Sequence, residues 1–159
     1  MPTSSANPQN STEIVQAFFE AFGRKDLGAI DRYFAPNVVY TVIGSTAEVT
    51  KAAIPWIGEY HGREGAKEFI AHLQRNIEVF GFGEQEFIEQ ADRVAVFGTF
   101  VYRAVSTGKR FESHYAIKIK MRDGLIAEYF FHEDTYAVAE AFRHGGTWEV
   151  ETDGQRRTI

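Results

Sequence analysis

The 159-residue sequence contains no cysteine. That removes disulfides, thiolate nucleophiles, thiolate zinc sites and iron–sulfur clusters together. It also lacks any apolar run near the roughly 20 residues that a bilayer-spanning helix needs, so no membrane partner is expected. The first ten residues, MPTSSANPQN, have neither a basic start nor an apolar stretch, and do not read as a secretion signal. The default expectation is therefore a cytoplasmic protein. Positive charge is scarce as well. Seventeen Lys and Arg against 22 Asp and Glu leave a formal net charge of −5, and the one basic pair, Arg156-Arg157, is too short to track a phosphate backbone. Nucleic acid is not an expected partner.

Apolar residues, by contrast, make up 44% of the chain, enough to build one sizeable core and too many for disorder. Residues 1–10 are polar and contain proline, which reads as a loose tail; residues 11–144 form the domain; residues 145–159 read as a polar C-terminal tail. Ser11 or Thr12 can cap a first helix whose apolar face is Ile14, Phe18 and Phe22, ending at Gly23. Asp26 can cap a short second helix with Leu27, Ile30 and Phe34 on one side, broken at Pro36-Asn37. Asn37–Ile43 is β-branched and reads as a strand, and residues 44–62 read as irregular. A third helix is expected from Arg63 to Val79.

Four strand-like runs follow: Glu84–Glu89, Val94–Val105, Phe111–Arg122 and Leu125–Asp134. Asp123-Gly124 between the last two is a strong hairpin signal. A short helix, Thr135–Phe142, closes the domain. Helices first and a strand meander afterwards indicate an α+β fold, with helices covering one face of a mostly antiparallel sheet.

Alternation along the strands sorts the side chains. Ser113, Tyr115 and Ile117 share the inward face of one run, Tyr129 and Phe131 that of the next, and Phe100 and Tyr102 that of a third. With Tyr40, the inward set carries five hydroxyls among its rings, more than a dry core usually holds. The alternative is that these tyrosines sit at a rim with their hydroxyls wet. The last run ends in Glu133-Asp134, and alternation points Glu133 inward. A carboxyl against an apolar cavity would have its pKa raised by desolvation and could exchange protons near neutrality. Against that stands a simpler role for Asp134, as the cap of the helix that follows. His114, His132 and Asp134 fall on the outward face, where such groups usually pair with one another or with water, so no metal site is expected. Gly62-Arg63-Glu64-Gly65 is a helix start and lacks the spacing and the Lys of a phosphate loop.

Four stretches carry a resemblance: FFEAFGRKDLGAIDRYFAPNVVY, EYHGREGAKEFI, FESHYAIKIKMRDGLI and the strand ending HEDTY. In this order and spacing, over about residues 12–142, the chain resembles the nuclear transport factor 2-like superfamily, and within it the SnoaL-like and ketosteroid-isomerase-like proteins. The resemblance implies a cone-shaped barrel, a curved and mostly antiparallel sheet wrapped by three N-terminal helices around an apolar cavity, and a homodimer. The catalytic positions of two branches are not kept. Where ketosteroid isomerases carry a base Asp, an oxyanion-binding Tyr and a protonated Asp, this chain has Val42, Phe18 and Ile117. Where limonene-epoxide-hydrolase-like proteins carry an Arg, two Asp and an Asn, it has Gly98, Phe100, Phe131 and Val42; only their Tyr is matched, by Tyr40. SnoaL-like cyclases end the last strand with an acidic residue, a pattern that favours Asp134 where alternation favours Glu133.

The residues expected to carry chemistry are thus Glu133, Asp134 and Tyr40. Those expected to line a ligand site are Phe18, Val42, Trp56, Phe100, Tyr102, Ser113, Tyr115, Ile117, Tyr129 and Phe131. The corresponding activity is that of a cofactor-free lyase, isomerase or cyclase on a small hydrophobic or aromatic carbonyl compound; the alternative is a non-catalytic protein that binds a small hydrophobic molecule.

Overall fold

The computed structural model describes residues 10–159. The expected N-terminal tail, residues 1–10, lies outside the described residues except for Asn10. That residue is the cap of helix α1 (Ser11–Gly23): its side chain accepts from the Glu13 N–H at 2.8 Å, and the Glu13 carboxylate accepts from the Asn10 N–H. The cap is therefore one residue earlier than Ser11. Thr12 is instead engaged by Glu89, which accepts from both its N–H and its hydroxyl and ties the helix start to the sheet. Val15, Phe18 and Ala21 form the buried stripe of α1.

Asp26 shapes a turn rather than a helix. Its carboxylate accepts from the Gly28 N–H and pairs with Arg32, so α2 is only Ala29–Tyr33, Leu27 is left 56% exposed, and Phe34 opens the next strand. Strand β1 (Phe34–Val42) runs through Pro36-Asn37 without ending there. Its pairing slips register between Phe34 and Val39, and proline, lacking an N–H, is tolerated at such an irregularity. The stretch expected to be irregular contains α3 (Glu48–Ala53) and β2 (Gly58–His61), with Ile54, Trp56 and Ile57 buried between them.

Helix α4 (Gly62–Asn76) stops three residues before Val79 because Ile77–Phe82 is captured as β3 by pairing with β5. Tertiary pairing here overrides helical periodicity. Strands β4 (Glu86–Gln90), β5 (Arg93–Ala104), β6 (Arg110–Arg122) and β7 (Leu125–Glu133) follow, then α5 (Thr135–Phe142). Residues 145–159 also depart from a plain tail: Glu149–Thr152 (β8) and Gln155–Thr158 (β9) pair as a separate hairpin.

The main sheet has the order β2-β1-β7-β6-β5-β3, with β4 also pairing β5, and every pair is antiparallel except β1 with β7. It is curved and mostly antiparallel as expected, but it does not close into a barrel. Helix α4 touches β1, β2 and β3 and spans the gap between the two sheet edges. Among the described residues, four helices precede β3 where three are expected. No helix among the described residues is long and apolar enough to cross a membrane. Burial alternates along β5 and β6, so Phe100, Tyr102, Ser113, Tyr115 and Ile117 all point to the side covered by α1 and α4.

Candidate active site

Two stacks of rings occupy the inner face. Tyr40 lies flat against Tyr129 at 4.4 Å between centroids and against Phe69 at 4.6 Å, while Phe18 meets Phe34 edge-on at 4.9 Å. Phe100 stacks on Tyr102 at 3.9 Å and on Tyr115 at 6.0 Å. Offset stacking and edge contacts of this kind add attraction beyond the area they bury. Between the stacks is a void of about 50 Å³ bordered by Phe18, Tyr40, Phe100, Tyr102, Tyr115, Ile117, Tyr129 and Phe131, together with rings and aliphatic side chains from α1, α4 and β3. That space suits a few water molecules and is far smaller than the several hundred Å³ usual for organic ligands. It adjoins a half-open groove of about 600 Å³ between α1, α4 and β3, with which it shares Phe18, Phe22, Ile70, Leu73, Phe82 and Tyr102.

Three of the expected lining residues do other work. Val42 is packed in β1 at 2% exposure. Ser113 spends its hydroxyl on backbone, donating to the His114 carbonyl at 2.8 Å and accepting from the Asp134 N–H at 2.9 Å, which fixes the end of β7. Trp56 is 1% exposed and its indole N–H donates to the Glu133 carboxylate at 3.1 Å; its own carbonyl accepts from the Tyr60 hydroxyl.

The two carboxylates at the end of β7 separate cleanly. Asp134 is exposed and caps α5, accepting from the N–H groups of Tyr136 and Ala137 at 3.1 and 3.0 Å. Glu133 is the inward one, as alternation indicates, and sits directly opposite Tyr115 in the β6–β7 ladder. Burial pushes its pKa up to about 7, against the Trp56 N–H, which lowers it; the neighbouring Asp134 charge adds to the rise. Glu133 thus stands half ionised near neutrality, in reach of both proton gain and proton loss. Burial raises the phenols of Tyr40, Tyr102, Tyr115 and Tyr129, so they stay protonated and serve as hydrogen-bond donors rather than bases.

The polar residue that sequence reasoning misses is Gln85. It lies between β3 and β4 and its side-chain amide donates to the Tyr115 hydroxyl at 2.6 Å. The signal that could have pointed there is Gly98, a gap on the inner face of β5 directly across from Tyr115. His61 is exposed and pairs with Glu59. Among the described residues no cluster of three or more His, Asp or Glu side chains is arranged to hold a metal ion.

Residues 15–129 match the model of the SnoaL-like domain, and the chain belongs to that family. No curated protein matches it. Its fold is shared by 279 solved chains, too many for the fold alone to fix a chemistry. One is an NTF2-like protein of unknown function from Burkholderia pseudomallei, 26% identical over 84% of this chain and 98% of that one, with a TM-score of 0.74. Another is TerC, co-crystallised with polyporic acid, 27% identical over 83% of this chain and 97% of that one, with a TM-score of 0.69. A candidate SnoaL-like polyketide cyclase from Mesorhizobium loti aligns with a TM-score of 0.62 at 22% identity, covering 77% of this chain and 98% of that one.

Proposed function

We propose that this SnoaL-like protein is a cofactor-free isomerase, lyase or cyclase that moves a proton on a small hydrophobic or aromatic carbonyl compound. The carrying observation is one inward carboxyl, Glu133, held near its titration midpoint beside a set of protonated tyrosines. In this reading the Glu133 carboxylate removes a proton from the carbon next to the carbonyl. A tyrosine hydroxyl, from Tyr40, Tyr102 or Tyr115, donates to the oxygen where negative charge develops. The proton then returns from Glu133 to another carbon, completing an isomerisation. In a ring closure, the carbanion adds to a second carbonyl and the new alkoxide takes the proton. Neither course consumes a cofactor. Polyporic acid in TerC, 27% identical to this chain, supports an aromatic, oxygenated substrate class. The void must widen toward the adjoining groove to admit such a molecule, and the apolar side chains of Phe22, Leu73 and Phe82 between them can shift rotamer to do so.

The test needs no knowledge of the natural product. Acetophenone in heavy water is monitored by proton NMR for loss of its methyl signal, which reports proton removal next to the carbonyl. Enzyme-dependent exchange is expected, reduced by about 10²–10⁴-fold in Glu133→Gln. Exchange that persists in full in Glu133→Gln overturns the assignment. Saturable binding with no exchange would instead favour the non-catalytic reading, which the apolar residues at positions 18, 42 and 117 support. The homodimer belongs to the same proposal, and light scattering that returns only monomer removes it.

A further inference from the structure

The half-open groove of about 600 Å³ beside the void is bordered by three charged side chains, Lys25, Asp26 and Glu78. Both acids are engaged. Asp26 pairs with Arg32 and accepts from the Gly28 N–H, and Glu78 pairs with Arg103. Lys25 is exposed, and its ammonium has no acceptor among the described residues. Arg32, with Arg24 beyond it, holds the Asp26 carboxyl below its usual range, and Lys25 takes no part. Lys25 stands where α1 ends in a Schellman turn: its N–H donates to the Phe22 carbonyl at 2.9 Å, and the Asp26 N–H to the Ala21 carbonyl at 3.0 Å. Backbone groups thus satisfy those carbonyls, and the ammonium is not needed to cap them. The turn also holds Lys25 at φ 60°, a conformation that suits glycine and disfavours lysine. A cation is carried at the groove rim against its backbone preference.

The rest of the groove is largely apolar. Phe18, Ile30 and Ile70 are buried along it, whereas Leu27, Val79, Phe82 and Val105 converge on it from three separate segments and remain 46–58% exposed. Apolar surface gathered in this way marks a binding site, and the volume is that of a pocket for an organic molecule. We propose that the groove binds a small hydrophobic molecule with one negative charge, a carboxylate or an enolate, whose apolar body lies on these side chains and whose charged end meets Lys25. A single ammonium, acting as a point charge, matches a monoanion, while a phosphate needs more donors than it supplies. Phe18, Phe22 and Tyr102 border both groove and void, which sets the apolar end of such a ligand against the ring stacks. The inference does not depend on proton transfer by Glu133: it holds for a substrate and for a ligand that is merely bound.

Two probes of equal shape test it, biphenyl-4-carboxylate and the neutral biphenyl-4-carboxamide, titrated calorimetrically into the full chain. The carboxylate is expected to bind about three- to fivefold more tightly at low salt, the range of an exposed ion pair. That preference should vanish in about 1 M sodium chloride, where exposed charges are screened. Lys25→Gly removes the charge and relieves the positive φ, so it should unfold at the same denaturant midpoint or a higher one while binding the two probes equally. Lys25→Arg should keep the preference. A preference undiminished in Lys25→Gly overturns the proposal. Methyl resonances of Leu27, Ile70, Leu73 and Val105 are expected to move on titration with the carboxylate, and shifts confined to other methyls place the probe elsewhere and overturn it. Binding of neither probe, as when a second copy of the chain covers the groove, overturns it too. Loss of ketone exchange in the wild type while the Lys25 preference holds overturns only the proton-transfer reading.

Discussion

Trp56 and Glu133 lie 77 positions apart in the sequence, and the indole N–H of the first donates to the carboxylate of the second. The bond couples the buried segment between α3 and β2 to the last residue of β7. It favours the charged carboxylate, while burial favours the neutral acid, and burial prevails.

Removal of the donor should therefore move Glu133 further up. In Trp56→Phe the acid limb of the pH–exchange profile, set near 7 in the wild type, is expected at higher pH, with a stability loss of about 1–3 kcal/mol from the smaller buried ring. An acid limb that stays in place would show that Trp56 does not set the proton affinity of Glu133.

The same residue gives stability a pH dependence opposite to that of a salt-bridged carboxylate. Between its ordinary 4.5 and about 7, native Glu133 holds a proton that the unfolded chain has released. The contribution of Glu133 to stability thus falls as pH rises through that window, by at most about 3 kcal/mol. Glu133→Gln carries no such penalty and can still accept from Trp56. Urea midpoints of the two proteins should match near pH 4.5 and diverge in favour of the variant by pH 8; parallel curves would contradict the raised pKa.

Gly98→Ala tests the seat of Tyr115. With 2.6–2.7 Å between the new Cβ and the phenol, the ring must leave β5 and its bond to Gln85, at a cost of about 1–3 kcal/mol. Denaturant unfolding measures the cost. A variant as stable as the wild type would mean that the ring has room elsewhere.

What could be read from the sequence was what adjacent residues decide. Asp123-Gly124 marks the β6–β7 hairpin because both residues adopt positive φ, 52° and 72°, as a tight two-residue turn requires. Alternation placed Tyr115, Ile117 and Glu133 on one face because the sheet pleat has period two. The same turn signal, Asp153-Gly154, joins two short strands in which Val150 is the one apolar residue, so no alternation marks them as strands. What stayed hidden depends on distant partners: β3 is extended only because β5 is there to pair with it, and Gln85 is recognisable only beside Tyr115, 30 positions away. Alternation separates Glu133 from Asp134, whereas the family pattern favours Asp134; the contacts that give each its role, Trp56 for the first and the start of α5 for the second, are visible only in the fold.

Asp134 offers the sharpest separation of structural from chemical effects. Asp134→Ala removes the acceptor for two N–H groups at the start of α5 and should cost about 0.5–2 kcal/mol. Asp134→Asn keeps a capping side chain but removes a negative charge that raises the pKa of Glu133. Both variants should retain ketone proton exchange, since neither touches the proton acceptor. Their pH profiles should nevertheless shift: without the neighbouring charge, the acid limb moves to lower pH, opposite in sign to the effect of Trp56→Phe. Loss of exchange in Asp134→Asn at unchanged stability would transfer the role of base from Glu133 to Asp134, and proton exchange measured from pH 5 to 9 on the three variants distinguishes these outcomes.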